Sequence, residues 1–208
     1  MGDPVVTYVA RNLEPHRGFH QFMRALPGVL EQNPSCHVVV MGGDGVSYGH
    51  RPDDAANWRE KLLRENPMDA SRVHFLGRVG YGTYRKFLQI SKVHVYLTYP
   101  FVLSWSLLEA MACGCHVIGS DTAPVREVIT DGKNGELVDF FNPHEIADAA
   151  CRALTRKTNR SELRRQALQT AMKYSSEEGV RAYMHMVSAV AGVMKIDQCH
   201  CHLKEVAV

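Results

Sequence analysis

Glu109 lies in YPFVLSWSLLEAMACGCHVIGSD, residues 99–121, a stretch almost wholly apolar or small with no basic residue close by. An ionised carboxylate in such surroundings needs a local hydrogen bond or a polar group that the sequence itself does not supply. Two chemistries fit. Ser106-Leu107-Leu108-Glu109 has the S-x-x-E form of a capping box, in which the acid bonds back to the first amide of a helix beginning near Ser106. In the other, the acid faces outward at the first turn and accepts hydrogen bonds from two neighbouring hydroxyls, as a ribose offers. The spacing alone leaves both open. In either case the segment reads as strand Val93 to Tyr99, loop Pro100 to Trp105, then helix, which puts the unpaired amides of Ser104 to Leu107 at an end that favours anions.

Three further loops carry candidate chemistry. In ARNLEPHRG, residues 10–18, Arg11 follows a strand directly and Arg17 precedes a glycine at a helix start. Two guanidiniums there could clamp a diphosphate through paired N–H groups, and two solvated surface arginines would have the same spacing. His16 and His20 flank them and either could touch phosphate, with exposed or helix-start positions as the simpler reading. MGGDGVSYG, residues 41–49, offers glycines for turns or close backbone approach but breaks the GxGxxG spacing, so it supports neither a dinucleotide cofactor nor a Rossmann oxidoreductase. LGRVGYG, residues 76–82, places Arg78 and Val79 where they could border a base, or form a plain turn.

These loops need elements to position them. Runs of β-branched residues at Val5, His37, Val73, Val93 and His116 read as buried strands, separated by segments with helical spacing. The alternation implies a doubly wound, Rossmann-like α/β domain with a parallel sheet, in which ligand loops gather at the C-terminal strand ends. After GELVDF, residues 135–140, the pattern is helical: one helix opens at Asn142-Pro143 and runs to about Leu154, and others cover about 163–174 and 179–195. Residues 142–195 thus form a mainly helical tail to one domain over 1–208, and the apolar surface of the last helix, with Tyr183, Met186, Val187, Val190, Val193 and Met194, calls for packing against another surface, of which a partner domain is one candidate.

With 208 residues, 24 basic and 22 acidic, the formal charge of +2 argues against a nucleic-acid footprint. No apolar run approaches the ~18–20 residues of a membrane span. Six cysteines without a CxxC pair read as reduced thiols of a cytoplasmic protein. In the tail, Cys199-His200-Cys201-His202 could hold zinc, but usual zinc sites space their ligands further apart, so it reads as a frayed end.

Taken in order, Arg11, Arg17-Gly18, the GxG after the second strand, VHFLG after the third, LLEAMACGCHVIGSD, VREVI and DGKNG resemble the nucleotide-sugar-binding, C-terminal half of family 4 glycosyltransferases of the GT-B fold. The resemblance covers about residues 5–155 and implies that Arg11 and Arg17 hold the diphosphate, with Arg17 standing where lysine is commoner. It further implies Glu109 on the ribose, backbone amides of Leu103, Ser104, Trp105 and Ser106 on the phosphates, and Arg78-Val79 at the base. Such enzymes retain anomeric configuration and need neither metal nor cofactor. Their arginines and helix terminus stabilise the departing nucleoside diphosphate. The family usually carries a second glutamate on the sugar hydroxyls eight positions before the ribose ligand, where this chain has Phe101. That departure implies a different donor sugar or lost activity, the latter leaving a non-catalytic nucleotide-binding module. The expected partners are a nucleoside-diphosphate sugar and an N-terminal acceptor-binding domain, in an enzyme of polysaccharide or glycoconjugate synthesis that is cytoplasmic or peripheral at the inner face of the membrane. The isolated chain is expected to bind nucleotide weakly and not to transfer sugar.

Overall fold

A computed structural model describes residues 2–155 and 160–190, so the tail motif at 199–202 and the end of the last expected helix lie outside the described residues. Six strands form one parallel sheet in the order β3-β2-β1-β4-β5-β6. They are β1 (Val5–Asn12), β2 (His37–Gly43), β3 (Val73–Gly77), β4 (Val93–Tyr96), β5 (His116–Ser120) and β6 (Glu136–Val138). The chain winds outward from β1 to β3, then crosses back to place β4 on the other side of β1, with Val6 of β1 paired to Val38 on one side and Val93 on the other. That reversal opens a crevice beyond the C-terminal ends of β1 and β4, the usual ligand position of this topology.

Helices cover both faces because the central strands are apolar on both. Val6, Tyr8, Val38, Val40, Val95 and Ile118 join the core shared with α1 (Phe19–Gln32) and α6 (Pro143–Thr155). Val39, Met41, Tyr96 and Val117 join the opposite core, with Tyr84 and Leu88 of α3 (Tyr81–Ile90), Leu107 and Met111 of α4 (Trp105–Ala112) and Ala167 of α7 (Arg160–Met172). α2 (Trp58–Glu65) and the short α5 (Ala123–Arg126) complete this part. The chain divides into two compact units, residues 1–172 and 173–208, and the described part of the second is chiefly α8 (Ser176–Val190). In α8, Tyr183, Met186 and Val190 are exposed.

The sheet departs from the sequence expectation in two places. β4 ends at Tyr96, three residues before Tyr99, because its ladder to β1 stops at Tyr8 opposite Val95 and its ladder to β5 stops at Tyr96 opposite Gly119. GELVDF contains a sixth strand, β6, too short for periodicity to reveal and begun by the buried carboxylate Glu136. The helix after Asn142 begins as expected, with Asn142 Oδ1 accepting from the Glu145 amide at 3.2 Å.

The DGKNG turn locks β6 to the rest. Asn134 is buried, its Oδ1 accepts from Thr130 N at 2.7 Å, and its Nδ2 donates to Val128 O and to Thr170 Oγ1 of α7, both at 2.9 Å. Replacing it with alanine strands these groups, and at about 0.5–1.5 kcal/mol per bond Asn134→Ala should cost about 2 kcal/mol, read as a lower urea midpoint with unchanged m-value.

Candidate functional site

The loop after β1 folds into a 3₁₀ turn, Pro15–Arg17, and enters α1 through Gly18. This turn carries Arg17 across the crevice. Its Nη1 donates to Thr98 Oγ1 at 3.2 Å and to Val102 O at 3.0 Å, both in the segment that follows β4. The backbone carbonyl of Arg17 accepts from the buried Tyr8 hydroxyl at 2.5 Å, which pins the turn to the central strand. Tyr96 ties the guanidinium to the tip of α4: its hydroxyl accepts from the Ser104 amide at 2.8 Å and interacts with Arg17, which partly offsets the upward push of burial on its pKa. A cation and a helix N-terminus thus meet at the topological switch point, an arrangement that suits an anion.

On the other side of the β1 end, Arg11, Gly77, Arg78, Val79 and Tyr84 line a cavity of about 310 Å³, with Ala10, Met41 and Gly42 in its wall. Arg78 Nη2 donates to Asn12 Oδ1 at 3.0 Å, and Asn12 Nδ2 donates to Ser47 Oγ at 2.7 Å, which joins three loops into one rim. Glu109 belongs to this side. Its Oε2 accepts from the Tyr84 hydroxyl at 2.7 Å. Burial, then Glu109, push the Tyr84 pKa up, and the Glu109 charge raises that of Tyr81. Both phenols therefore stay protonated as donors. A carboxylate has more acceptor sites than Tyr84 uses, so Glu109 retains capacity for ligand hydroxyls. Arg11 and Arg17 share no partner among the contacts of the described residues: one lines the cavity and the other spans the crevice.

The capping box does not form. α4 starts at Trp105, and its cap is Ser104, whose Oγ accepts from the Ser106 amide at 3.4 Å. Glu109 therefore stands two residues beyond the position that could reach back to the cap. Most of the amides expected to be open already have partners: Ser104 bonds the Tyr96 hydroxyl, Ser106 its own cap, and Leu107 the Ser104 carbonyl at 3.1 Å. Among the described residues the amides of Leu103 and Trp105 have none, and these two remain to meet a ligand. The Trp105 side chain is exposed.

Several contributors escaped the sequence reading. Glu14 is almost fully buried, and its carboxylate accepts from the amides of Ser47, Tyr48 and Gly49 at 3.0–3.2 Å, fixing the loop after β2. Tyr48, on that loop, lies edge-on to Phe101 with ring centroids 4.9 Å apart. The Arg17 guanidinium carbon is 5.5 Å from the Tyr48 ring and 5.3 Å from that of Phe101, within cation–π range. His16 joins this cluster, near the rings of Tyr48 and Tyr99. His20 packs against Phe140, and burial, then Arg24, lower its pKa to about 4, so it is neutral. Both histidines are half-buried and stand at helix starts, His16 in the 3₁₀ turn and His20 as the second residue of α1, which is the helix-start form of the simpler reading. A further cavity of about 270 Å³, around Asn33 and Cys151, lies where α1 and α6 end and belongs to none of these loops.

A doubly wound parallel sheet thus gathers a cation, a helix tip and a carboxylate around its switch point. Residues 1–171 match the family model described as "Glycosyl transferases group 1", and the chain belongs to that family. It is 30% identical over 149 residues to spore coat protein SA of Bacillus subtilis (strain 168), matching 71% of this chain and 38% of that protein. It is 32% identical over 155 residues to a phosphatidyl-myo-inositol mannosyltransferase of Mycolicibacterium smegmatis (strain ATCC 700084 / mc(2)155), matching 72% and 34%. The chain therefore spans little more than a third of these relatives. Among solved structures, Anabaena Alr3699/HepE in complex with UDP-glucose aligns at a TM-score of 0.73 with 18% identity, covering 91% of this chain and 49% of that one. The C-terminal domain of a glycosyl transferase group 1 family protein (LpcC) from Francisella tularensis aligns at 0.70 with 19% identity, covering 84% and 88%. These likenesses establish the GT-B type of Rossmann-like fold.

Proposed function

We propose that this chain is the C-terminal, donor-binding half of a retaining glycosyltransferase that moves a sugar from a nucleoside-diphosphate sugar to a glycan or glycoconjugate acceptor. The observation that carries the reading is Arg17, which bridges the switch-point crevice to Thr98 and Val102 beside the α4 tip. In this reading Arg17, Arg11 and the amides of Leu103 and Trp105 hold the diphosphate and stabilise the charge that grows on it as the glycosidic bond breaks. Fixed cations and a helix terminus supply that charge balance without a metal. Glu109, steadied by Tyr84, takes the ribose hydroxyls, and Arg78 with Val79 borders the base in the adjoining cavity. The named UDP-glucose complex of a fold relative and the relatives named as mannosyltransferases support the substrate class. An N-terminal domain in the longer enzyme would bring the acceptor, at the cytoplasmic side with peripheral membrane contact. No helix of the described residues is long and apolar enough to span a membrane.

Calorimetry with uridine, guanosine, adenosine and thymidine diphosphates tests this. At least one should bind, and because a hydrogen bond to a charged group contributes about 1.5–3 kcal/mol, Arg17→Ala and Glu109→Ala should each weaken it at least ~10-fold. Absence of binding, or indifference of both variants, overturns the reading. Sugar transfer should require the longer chain, and turnover by these 208 residues alone would contradict the two-domain assignment. A second reading, a nucleotide-binding module without transfer, is favoured by Phe101 in the sugar-facing position. It predicts the same binding with no turnover in any longer form.

A further inference from the structure

Next to Arg17 the site is built of aromatic rings. Phe101 and Tyr48 are 40% and 45% exposed, meet edge to face at 4.9 Å, and both lie within 5.5 Å of the guanidinium. Their positions are held. Glu14 binds the Tyr48 amide at 3.0 Å together with the amides on either side, and Arg17 ties the Phe101 loop by its bond to Val102 O. Of the nearby acids, Glu14 accepts from the three amides, and Asp44 pairs with Arg59 through Oδ2 at 2.8 Å while its Oδ1 is buried without a partner among the described residues. A group attached to a phosphate at Arg17 therefore meets two half-exposed rings.

The faces of these rings reward C–H surface, and the Tyr48 hydroxyl is the single polar group the two side chains offer, so most sugar hydroxyls taken from water against them would lack a partner, at a cost in free energy. We propose that Tyr48 and Phe101 form the sugar subsite and select a donor whose sugar presents apolar surface, a deoxy carbon or an N-acetyl methyl, over the corresponding fully hydroxylated hexose. This rests on the donor-site reading above. An added or missing methyl in an apolar pocket changes discrimination by about 10–200-fold, and half-open rings belong near the lower end.

Calorimetry on the 208-residue chain with ligands matched in configuration reads this directly: UDP, UDP-glucose and UDP-N-acetylglucosamine; GDP, GDP-mannose and GDP-6-deoxy-D-mannose; dTDP, dTDP-glucose and dTDP-6-deoxy-D-glucose. Within the nucleotide series that binds, the acetylated or deoxy donor should bind about 10-fold tighter than its hydroxylated parent, and which of them does so separates the two sources of apolar surface. Phe101→Ala and Tyr48→Ala should bring that ratio to within about 2-fold, while Phe101→Tyr, which keeps the ring, should preserve it. Using the ratio cancels any effect on the diphosphate itself. A ratio near one in the wild type, a preference for the parent hexose, or a preference unchanged in both alanine variants overturns the proposal while free diphosphate binding still upholds the donor site. If no nucleoside diphosphate binds, the donor-site reading falls and this proposal with it.

Discussion

Gly18→Ala should cost about 2–5 kcal/mol of folding stability and weaken nucleotide binding in whatever protein remains folded. Gly18 has φ +72°, where an L side chain is disfavoured by about 1–2 kcal/mol. Space is the larger obstacle. A Cβ at this position would stand 2.3 Å from Leu97 Cβ, with Leu97 Cδ1 and Phe140 Cε2 both at 3.1 Å. A Cβ is fixed by its backbone and cannot rotate away, so either the turn at Arg17 or the chain leaving β4 must move, and overpacking of this kind costs about 1–3 kcal/mol. These are the two strands of chain that Arg17 bridges, so stability and affinity should fall together. Gly82→Ala is the control: nothing lies within 4 Å, the residue is helical, and the change should be neutral or stabilise by up to ~1 kcal/mol. Urea unfolding of both variants decides the matter. A Gly18→Ala loss below ~1 kcal/mol would mean that the crevice backbone is softer than its packing indicates.

The same pair of segments shows what a sequence can and cannot convey. VVTYVA and HVVVM are legible as buried strands because apolar residues on both faces have few other uses, and strand-helix alternation then dictates the switch point. Arg17 is legible because the glycine after it marks a helix start at that point. Glu109 is legible only as a problem. Its answer, Tyr84, lies 25 residues earlier on α3, and no local spacing can indicate which helix packs beside α4. The capping box misleads for a related reason: Ser104 and Ser106 are both good caps, and Tyr96, reaching the Ser104 amide from the strand, favours the earlier start. Glu14 is hidden likewise, since its three partners are backbone amides, which every sequence possesses. Period and punctuation revealed the sheet and the loops, whereas the partners that orient each side chain depend on tertiary packing.

Acidification should weaken this fold well above the pH at which carboxylates titrate, through one histidine in the middle of the sheet. His94 of β4 is fully buried, and its Nδ1 lies 2.9 Å from Thr7 Oγ1, which in turn lies 2.7 Å from Ser91 Oγ. Its Nε2 has no partner among the described residues, and burial lowers its pKa from 6.5 to about 4. The unfolded chain therefore takes up a proton between those values that the folded chain refuses. Stability from this group is complete above pH 6.5 and declines as pH falls towards 4, by about 3 kcal/mol over the window and about 2 kcal/mol by pH 5. His20, also lowered to about 4 but partly exposed, adds a smaller loss of the same sign. Urea titrations at pH 7.5 and 5.0 should show this drop in the wild type. His94→Asn, which keeps a polar group beside Thr7, should be less stable at pH 7.5 yet lose markedly less on acidification. An equal pH dependence in the two proteins would remove His94 as its source.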